Sequence, residues 1–180
     1  MAAAGPPRAW GWHPLTDEWA ARVVTDADIR PGDLVLDIGA GEGALTRHLV
    51  AAGARVIAVE LHPRRVAYLR RRFAGVPVTV VCADACELRL PRRPFRVVSS
   101  PPYAATSVLL RTLLAPRSRL IAADLVLQRA VVRRYVDGRA PGSQRWLRHW
   151  SVTAGRQLPR RAFVAPPRVD SAVLAIRRRA

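Results

Sequence analysis

The chain has no lysine: across 180 residues, all 30 basic residues are arginine, set against 13 acids. The lack of lysine is read as genomic base composition and carries nothing about function. The shortage of acids does carry something. It leaves a formal net charge of +17, which raises association with polyanions and makes it salt-dependent. Nucleic acid is the partner this points to, with a merely solvated basic surface as the plainer reading. Cysteine is also scarce. Cys82 and Cys86 are the only two, too few for a metal cluster. They fall in and just after a predicted strand, so buried free thiols are expected, and no metal site. No apolar run reaches the roughly 18–20 residues a membrane span needs, so no membrane partner is expected. The N-terminus, Met1 to Arg8, lacks the apolar core of a signal peptide. The expectation is a cytoplasmic protein. No internal repeat is visible.

What is present suffices for one folded domain. Half of the residues are apolar, and the length allows a proper core. Residues 1–9 are expected to be disordered and 10–180 to form the domain. A helix is expected over 16–25, with Asp17 and Glu18 opposing the positive end of its dipole. The turn Pro31-Gly32-Asp33 leads into a buried strand, Leu34 to Ile38. Helical spacing of Leu45, Leu49 and Ala52 marks a helix over 43–53. Further strands are Arg55 to Glu60, Val78 to Cys82, Phe95 to Ser99 and Leu120 to Leu127. Further helices cover 63–73, 104–114 and 128–137. The tail, 156–178, reads as two strands around Pro166-Pro167. Alternating strands and helices imply an α/β fold with a parallel sheet covered on both faces. Ligands bind such sheets beyond the carboxyl ends of the strands. Gly39 to Gly43, Glu60, Asp84 and Ser99 to Tyr103 each follow a strand and are expected to converge on one edge.

Two segments carry the chemistry. The first, Asp37-Ile-Gly-Ala-Gly-Glu-Gly43, is a turn where a ligand can approach the backbone. Gly39-x-Gly41-x-x-Ala44 also fits the dinucleotide fingerprint, and Glu60 sits where an acid would bind ribose hydroxyls in either class. Asp37 before the loop and Asp84-Ala85 after the third strand favour S-adenosylmethionine. Asp37 would lie near the amino-acid end of the cofactor, and Asp84-Ala85 near its adenine amine. The second segment is Ser100-Pro-Pro-Tyr103. An exocyclic base amine is a poor nucleophile because its lone pair is delocalised into the ring. Acceptors aimed at its N–H groups help it become tetrahedral. Ser100 offers a hydroxyl oxygen, and Pro101 a carbonyl held rigidly by two prolines. Tyr103 can stack on the base, with Phe163 as the other face. The base must be unpaired or flipped to reach such a pocket.

These segments resemble those of the erythromycin-resistance family of ribosomal RNA adenine N6-methyltransferases and their relatives, the dimethyladenosine transferases. The resemblance runs from about Gly11 to Arg178. It rests on Gly32 to Thr46, Val59-Glu60, Ala83-Asp-Ala85, Pro101-Pro-Tyr103, Leu125-Val-Leu-Gln-Arg129 and Phe163 to Ser171. It implies a Rossmann-like class I methyltransferase fold with a mostly parallel, seven-stranded sheet. It implies cofactor contacts at Leu15, Gly39, Glu60 and Asp84, large-subunit ribosomal RNA as substrate, and macrolide-type antibiotic resistance as the outcome. With the residues read above, the expected cofactor set is His13, Leu15, Asp37, Gly39, Gly41, Glu60, Asp84, Ala85 and Ser100. The set around the target amine is Ser100, Pro101, Tyr103 and Phe163. The protein is expected to act as a monomer.

The chain departs from the family pattern in three places. Ser100 stands where the family has asparagine, and Ser-Pro-Pro-Tyr also resembles the motif of cytosine N4-methyltransferases. Trp12-His13-Pro14-Leu15 replaces Gln-Asn-Phe-Leu. The chain stops where the family's helical C-terminal domain begins. RNA contacts are expected from Arg8, Trp10 and Trp12, from Arg70 to Arg72, from Arg133-Arg134 and from Arg145-Trp146-Leu-Arg148, since arginine with interleaved aromatics suits phosphate contact and stacking. Two other functions stay open: a cytosine-N4 or DNA amine methyltransferase, and a non-catalytic RNA-binding protein of ribosome assembly.

Overall fold

The computed structural model describes residues 13–179. The expectations for residues 1–9, Arg8, Trp10 and Trp12 lie outside these. One seven-stranded sheet runs through the molecule in the order β3-β2-β1-β4-β5-β7-β6. The strands are β1 (Leu34–Ile38), β2 (Arg55–Glu60), β3 (Val78–Cys82), β4 (Phe95–Ser99), β5 (Leu120–Gln128), β6 (Trp150–Leu158) and β7 (Ser171–Arg178). The helices are α1 (Asp17–Asp26), α2 (Ala44–Ala51), α3 (Pro63–Arg72), α4 (Thr106–Leu113), α5 (Arg129–Val136) and α6 (Ser143–Leu147). Strands β1 to β5 pair in parallel, and β7 runs antiparallel between β5 and β6.

Burial explains the order. Strand β1 is buried along its whole length, as a central strand covered on both faces must be. One face packs Leu36, Ile38, Phe95 and Val97 against Leu109, Leu110 and Leu113 of α4. The other packs Val35, Val56 and Val98 against Val23 and Val24 of α1 and Leu45 and Leu49 of α2. Helices α1 and α2 are joined at their polar edge by Asp17, which pairs with Arg47 and with His48. No helix among the described residues is long and apolar enough to cross a membrane.

The five parallel strands fall where the sequence puts them. The C-terminal third is corrected in two places. Strand β6 begins at Trp150, six residues before the expected 156. Its exposure does not alternate, and its register shifts between Ala154 and Gln157, so the period-two signal is absent. Helix α6 spans five residues, too few to show a helical period. The thiols are also corrected: Cys82 and Cys86 are free but exposed. Strand β3 is an edge strand with a largely open face, and Cys86 lies in the 3-10 turn Ala85–Glu87 that follows it.

Candidate functional site

The chain turns in opposite directions after β1 and β4. From β1 the strands progress to β2 and β3, and from β4 to β5 and β7. The loops after β1 and β4 therefore diverge, and a crevice opens between them at the switch point. A cleft of about 590 Å³ occupies this position, within the size range of small-molecule sites. Its wall includes His13, Leu15, Asp37, Gly39, Glu60, Asp84, Ala85, Ser100, Pro101 and Tyr103. The convergence expected from strand ends alone is observed.

The glycine loop is shaped by contact on two sides. Gly39 has φ +77°, and a Cβ there would meet Pro102 Cδ at 3.0 Å. Gly43 caps α2 at φ +86°, and a Cβ there would stand 2.5 Å from the Phe73 ring. A side chain at either position is excluded by backbone conformation and by space together. Gly41 is not on the cleft wall. Its N–H donates instead to Glu60 Oε2 at 2.8 Å, while Glu60 Oε1 accepts from the His62 N–H at 2.8 Å. The Glu60 carboxylate is thus aimed by two backbone donors, and each oxygen keeps a further lone pair for a ligand hydroxyl. Asp84 Oδ1 accepts from the Cys86 N–H at 2.8 Å, capping the turn that follows β3.

Asp37 is 1% exposed and accepts from Thr46 Oγ1 at 2.7 Å. Burial pushes its carboxyl up to about 7. The hydrogen bonds from Thr46 pull it down, and the nearby Glu60 charge adds to the rise. Thr46, on the first turns of α2, was legible only as the end of a matching run and had no role there. Its signal is the helical spacing that turns it inward beside Leu45 and Leu49.

The second half of the site leaves β4. Ser99 Oγ donates to the Ile38 carbonyl at 2.7 Å, locking the ends of β4 and β1 together. Ser100 and Pro101 then line the cleft, and a 3-10 turn, Tyr103–Ala105, carries the chain into α4. The Tyr103 hydroxyl is 2.8 Å from Ser171 Oγ at the start of β7. Burial raises the Tyr103 phenol, and the bond to Ser171 opposes the rise. Ser171 was legible only as the end of a matching run and had no role there.

Phe163, expected as the other face of the base, is set back from the cleft wall. It is 3% exposed, belongs to the core under α1 and α2, and is not on the cleft wall. The bridge Leu15↔Phe163 explains this, since it ties the N-terminal segment across the ring's backbone. His13 stands on the wall instead. Of the expected RNA contacts, Trp146 stacks on Tyr135 with centroids 5.9 Å apart and planes 16° apart, so its ring is used within the fold. Arg145, Arg148, Arg133 and Arg134 are exposed. Arg72 is held by Tyr68 Oη at 2.8 Å and by the Glu42 carbonyl of the glycine loop at 3.3 Å.

The charge of the cleft reverses that of the chain. Asp37, Glu42, Glu60 and Asp84 all lie on its wall, and Arg65 is the only arginine among the described residues that does. Such a wall suits a cation bearing hydroxyl and amine donors. It does not suit a pyrophosphate, which the dinucleotide reading of the glycine loop requires.

The ribosomal RNA adenine dimethylase family model matches residues 11–180. A probable ribosomal RNA small subunit methyltransferase A of Methanopyrus kandleri is 36% identical over 95% of the chain and 63% of its own length. The mycinamicin-resistance protein MyrB of Micromonospora griseorubida is 38% identical over 88% of the chain and 50% of its own length. The crystal structure of the 23S rRNA methyltransferase ErmE superposes with a TM-score of 0.84 at 32% identity, covering 93% of this chain and 70% of that one. The chain thus spans half to two thirds of the length of these two curated relatives.

Proposed function

The chain belongs to the ribosomal RNA adenine dimethylase family, and from that premise we propose that it is an S-adenosylmethionine-dependent methyltransferase acting on an adenine N6 of ribosomal RNA. The proposed substrate is large-subunit RNA, the outcome macrolide-type resistance, and the acting form a cytoplasmic monomer. The observation that carries the cofactor assignment is the acidic cleft in a basic chain. S-adenosylmethionine carries a sulfonium and an ammonium, and it supplies an electrophilic methyl group. Glu60 accepts from the ribose hydroxyls with the lone pairs its backbone donors leave free. Asp84 and Ala85 take the adenine end, and Asp37, Gly39 and Leu15 the amino-acid end. Gly41 acts through Glu60.

The target amine enters beside Ser100 and Pro101. The Ser100 hydroxyl oxygen and the Pro101 carbonyl accept from its two N–H groups, which localises the nitrogen lone pair toward the incoming methyl. Bound S-adenosylmethionine would supply the methyl group to that nitrogen, and the amine proton would leave afterwards. No strongly basic side chain is required. Exposed arginines, among them Arg133, Arg134, Arg145 and Arg148, supply phosphate contacts that steer the RNA without reading its sequence.

Ser100 on the wall supports a second reading, cytosine N4 as the target, through the Ser-Pro-Pro-Tyr resemblance. A test of the RNA assignment is incubation of the protein with labelled S-adenosylmethionine and separately purified, protein-free RNA of the two ribosomal subunits. Label confined to large-subunit RNA is the expected outcome. Label confined to small-subunit RNA would keep the chemistry and reverse the substrate.

A further inference from the structure

The sheet edge opposite the cleft, at the amino ends of the strands, carries a second hollow of about 220 Å³. Asp33 before β1, Arg55 at the start of β2, Arg93 and Arg96 around the start of β4, and Ile121 near the start of β5 line it. We propose that this hollow takes a backbone phosphate of the RNA substrate, away from the target base, which rests on the reading above of that substrate as RNA.

The charge of the hollow is the reverse of the cleft's. Three arginines stand on its wall, and Asp33 is the only carboxylate among the described residues that does. Asp33 is already committed. Its Oδ2 lies 3.0 Å from Arg96 Nε and accepts from the Arg30 N–H at 3.0 Å. The contact with Arg96 lacks hydrogen-bond geometry, which leaves a buried N–H of that guanidinium unmatched. Arg55 and Arg93 are exposed and have no ion-pair partner among the described residues. Neither is a loosely held arginine. The Arg55 N–H donates to the Asp33 carbonyl at 2.8 Å, and Arg55 is paired with Leu34 of β1. Pro94 restricts the backbone of Arg93 before it. Both guanidiniums leave fixed points, so ordering them around a ligand costs less.

Size decides the class of ligand. The volume is below the roughly 300–1,000 Å³ of small-molecule sites, too little for a cofactor and enough for one phosphate group. A free phosphate would gain from the arginines alone. Ile121, 41% exposed beside them, offers apolar surface that a ribose can cover and a free phosphate cannot. A chain of net charge +17 also favours polyanions over small anions, since each phosphate neutralised on a polyanion releases counterions. Strand β1, five residues long, separates the hollow from the cleft by about 17 Å, or about five steps along a duplex strand. The phosphate taken here therefore belongs to a segment flanking the target. It fixes the register of the RNA without reading its sequence.

The test measures the affinity of the protein for protein-free ribosomal RNA across a salt series. Wild type is compared with the double variant Arg55→Gln and Arg93→Gln. A charge-matched control carries Arg64→Gln and Arg111→Gln, at exposed arginines that line neither cavity. Loss of one phosphate contact is expected to flatten the slope of log affinity against log salt by about 0.7–0.9, and to weaken binding about fivefold to eightfold at about 0.1 M salt. The control is expected to change less than about twofold. Arg55→Lys with Arg93→Lys, which keeps both charges, is expected to restore most of the slope. An equal loss in the control would show an effect of net charge and overturn the site. Failure of the lysine pair to restore the slope, together with a lowered melting temperature, would show a structural role and overturn it too. Melting is also followed as chloride is exchanged for inorganic phosphate at constant ionic strength. Unchanged RNA slopes with a phosphate-dependent rise confined to wild type would make the hollow a free-phosphate site and overturn the RNA assignment. Wild type that labels no ribosomal RNA, with the slope difference intact, would refute the methyltransferase reading and leave the phosphate site standing.

Discussion

Gly39 and Pro102 are in such close contact that a single added carbon on Gly39 would lie 3.0 Å from the proline ring. The loop proposed to hold the cofactor and the turn proposed to hold the amine are thereby one packed unit. Gly39→Ala breaks it twice, by the clash and by a φ of +77° that costs an L-residue about 1–2 kcal/mol. The expected outcome is a fall in stability of that order by denaturant titration, with S-adenosylmethionine affinity weakened at least about tenfold.

Asp37 gives a pH signature. Its carboxyl is raised from 3.8 to about 7, so the folded state binds its proton more tightly than the unfolded state does. That contribution is fully present below the unfolded value and is lost as pH rises through the folded one. Asp37→Asn keeps an acceptor for Thr46 and removes the titration. The variant's melting temperature is expected to match wild type near about pH 4 and to exceed it increasingly up to about pH 8. A constant difference across this range would mean that Asp37 does not titrate there.

Ser100 separates chemistry from binding. Ser100→Ala is expected to reduce kcat at least about tenfold and leave calorimetric cofactor affinity nearly unchanged. Ser100→Asn installs the residue the resemblance leads one to expect. Higher turnover would mark serine as a handicap, and lower turnover as suited to this pocket.

Ser171 positions Tyr103. Ser171→Ala removes one hydrogen bond, worth about 1 kcal/mol, and leaves the ring in place. A loss of about fivefold in kcat/KM for RNA is expected, together with no further loss when Tyr103→Phe is added. Additive losses in the double variant would show that the two hydroxyls act separately.

The sequence made one half of the molecule more legible than the other. Strands β1 to β5 are apolar runs between clear turns, and parallel topology sends each of their ends to the same edge. Placing Glu60, Asp84 and Ser100 together needed nothing more. The β6–β7 hairpin is a local irregularity with Gly155 and a register shift, and neither leaves a periodic trace. The burial of Phe163 was hidden for a related reason: the β-bridge with Leu15 couples residues 148 positions apart, and no local pattern announces it. Gly41 was singled out as a cofactor contact, and its amide serves Glu60 from outside the cleft wall. The acidic sign of the cleft was invisible in a total charge of +17 and became readable only when four carboxylates from three strand ends were seen on one wall.

The most direct measurement is the identity of the methylated nucleoside. The protein is incubated with protein-free large-subunit rRNA and methyl-labelled S-adenosylmethionine, and the RNA is digested to nucleosides and separated. Label in N6-methylated adenosine is the expected result. Label in N4-methylcytidine would contradict the adenine assignment and make the Ser-Pro-Pro-Tyr turn a cytosine site. No label from a protein that also fails to bind S-adenosylmethionine would contradict the enzyme itself.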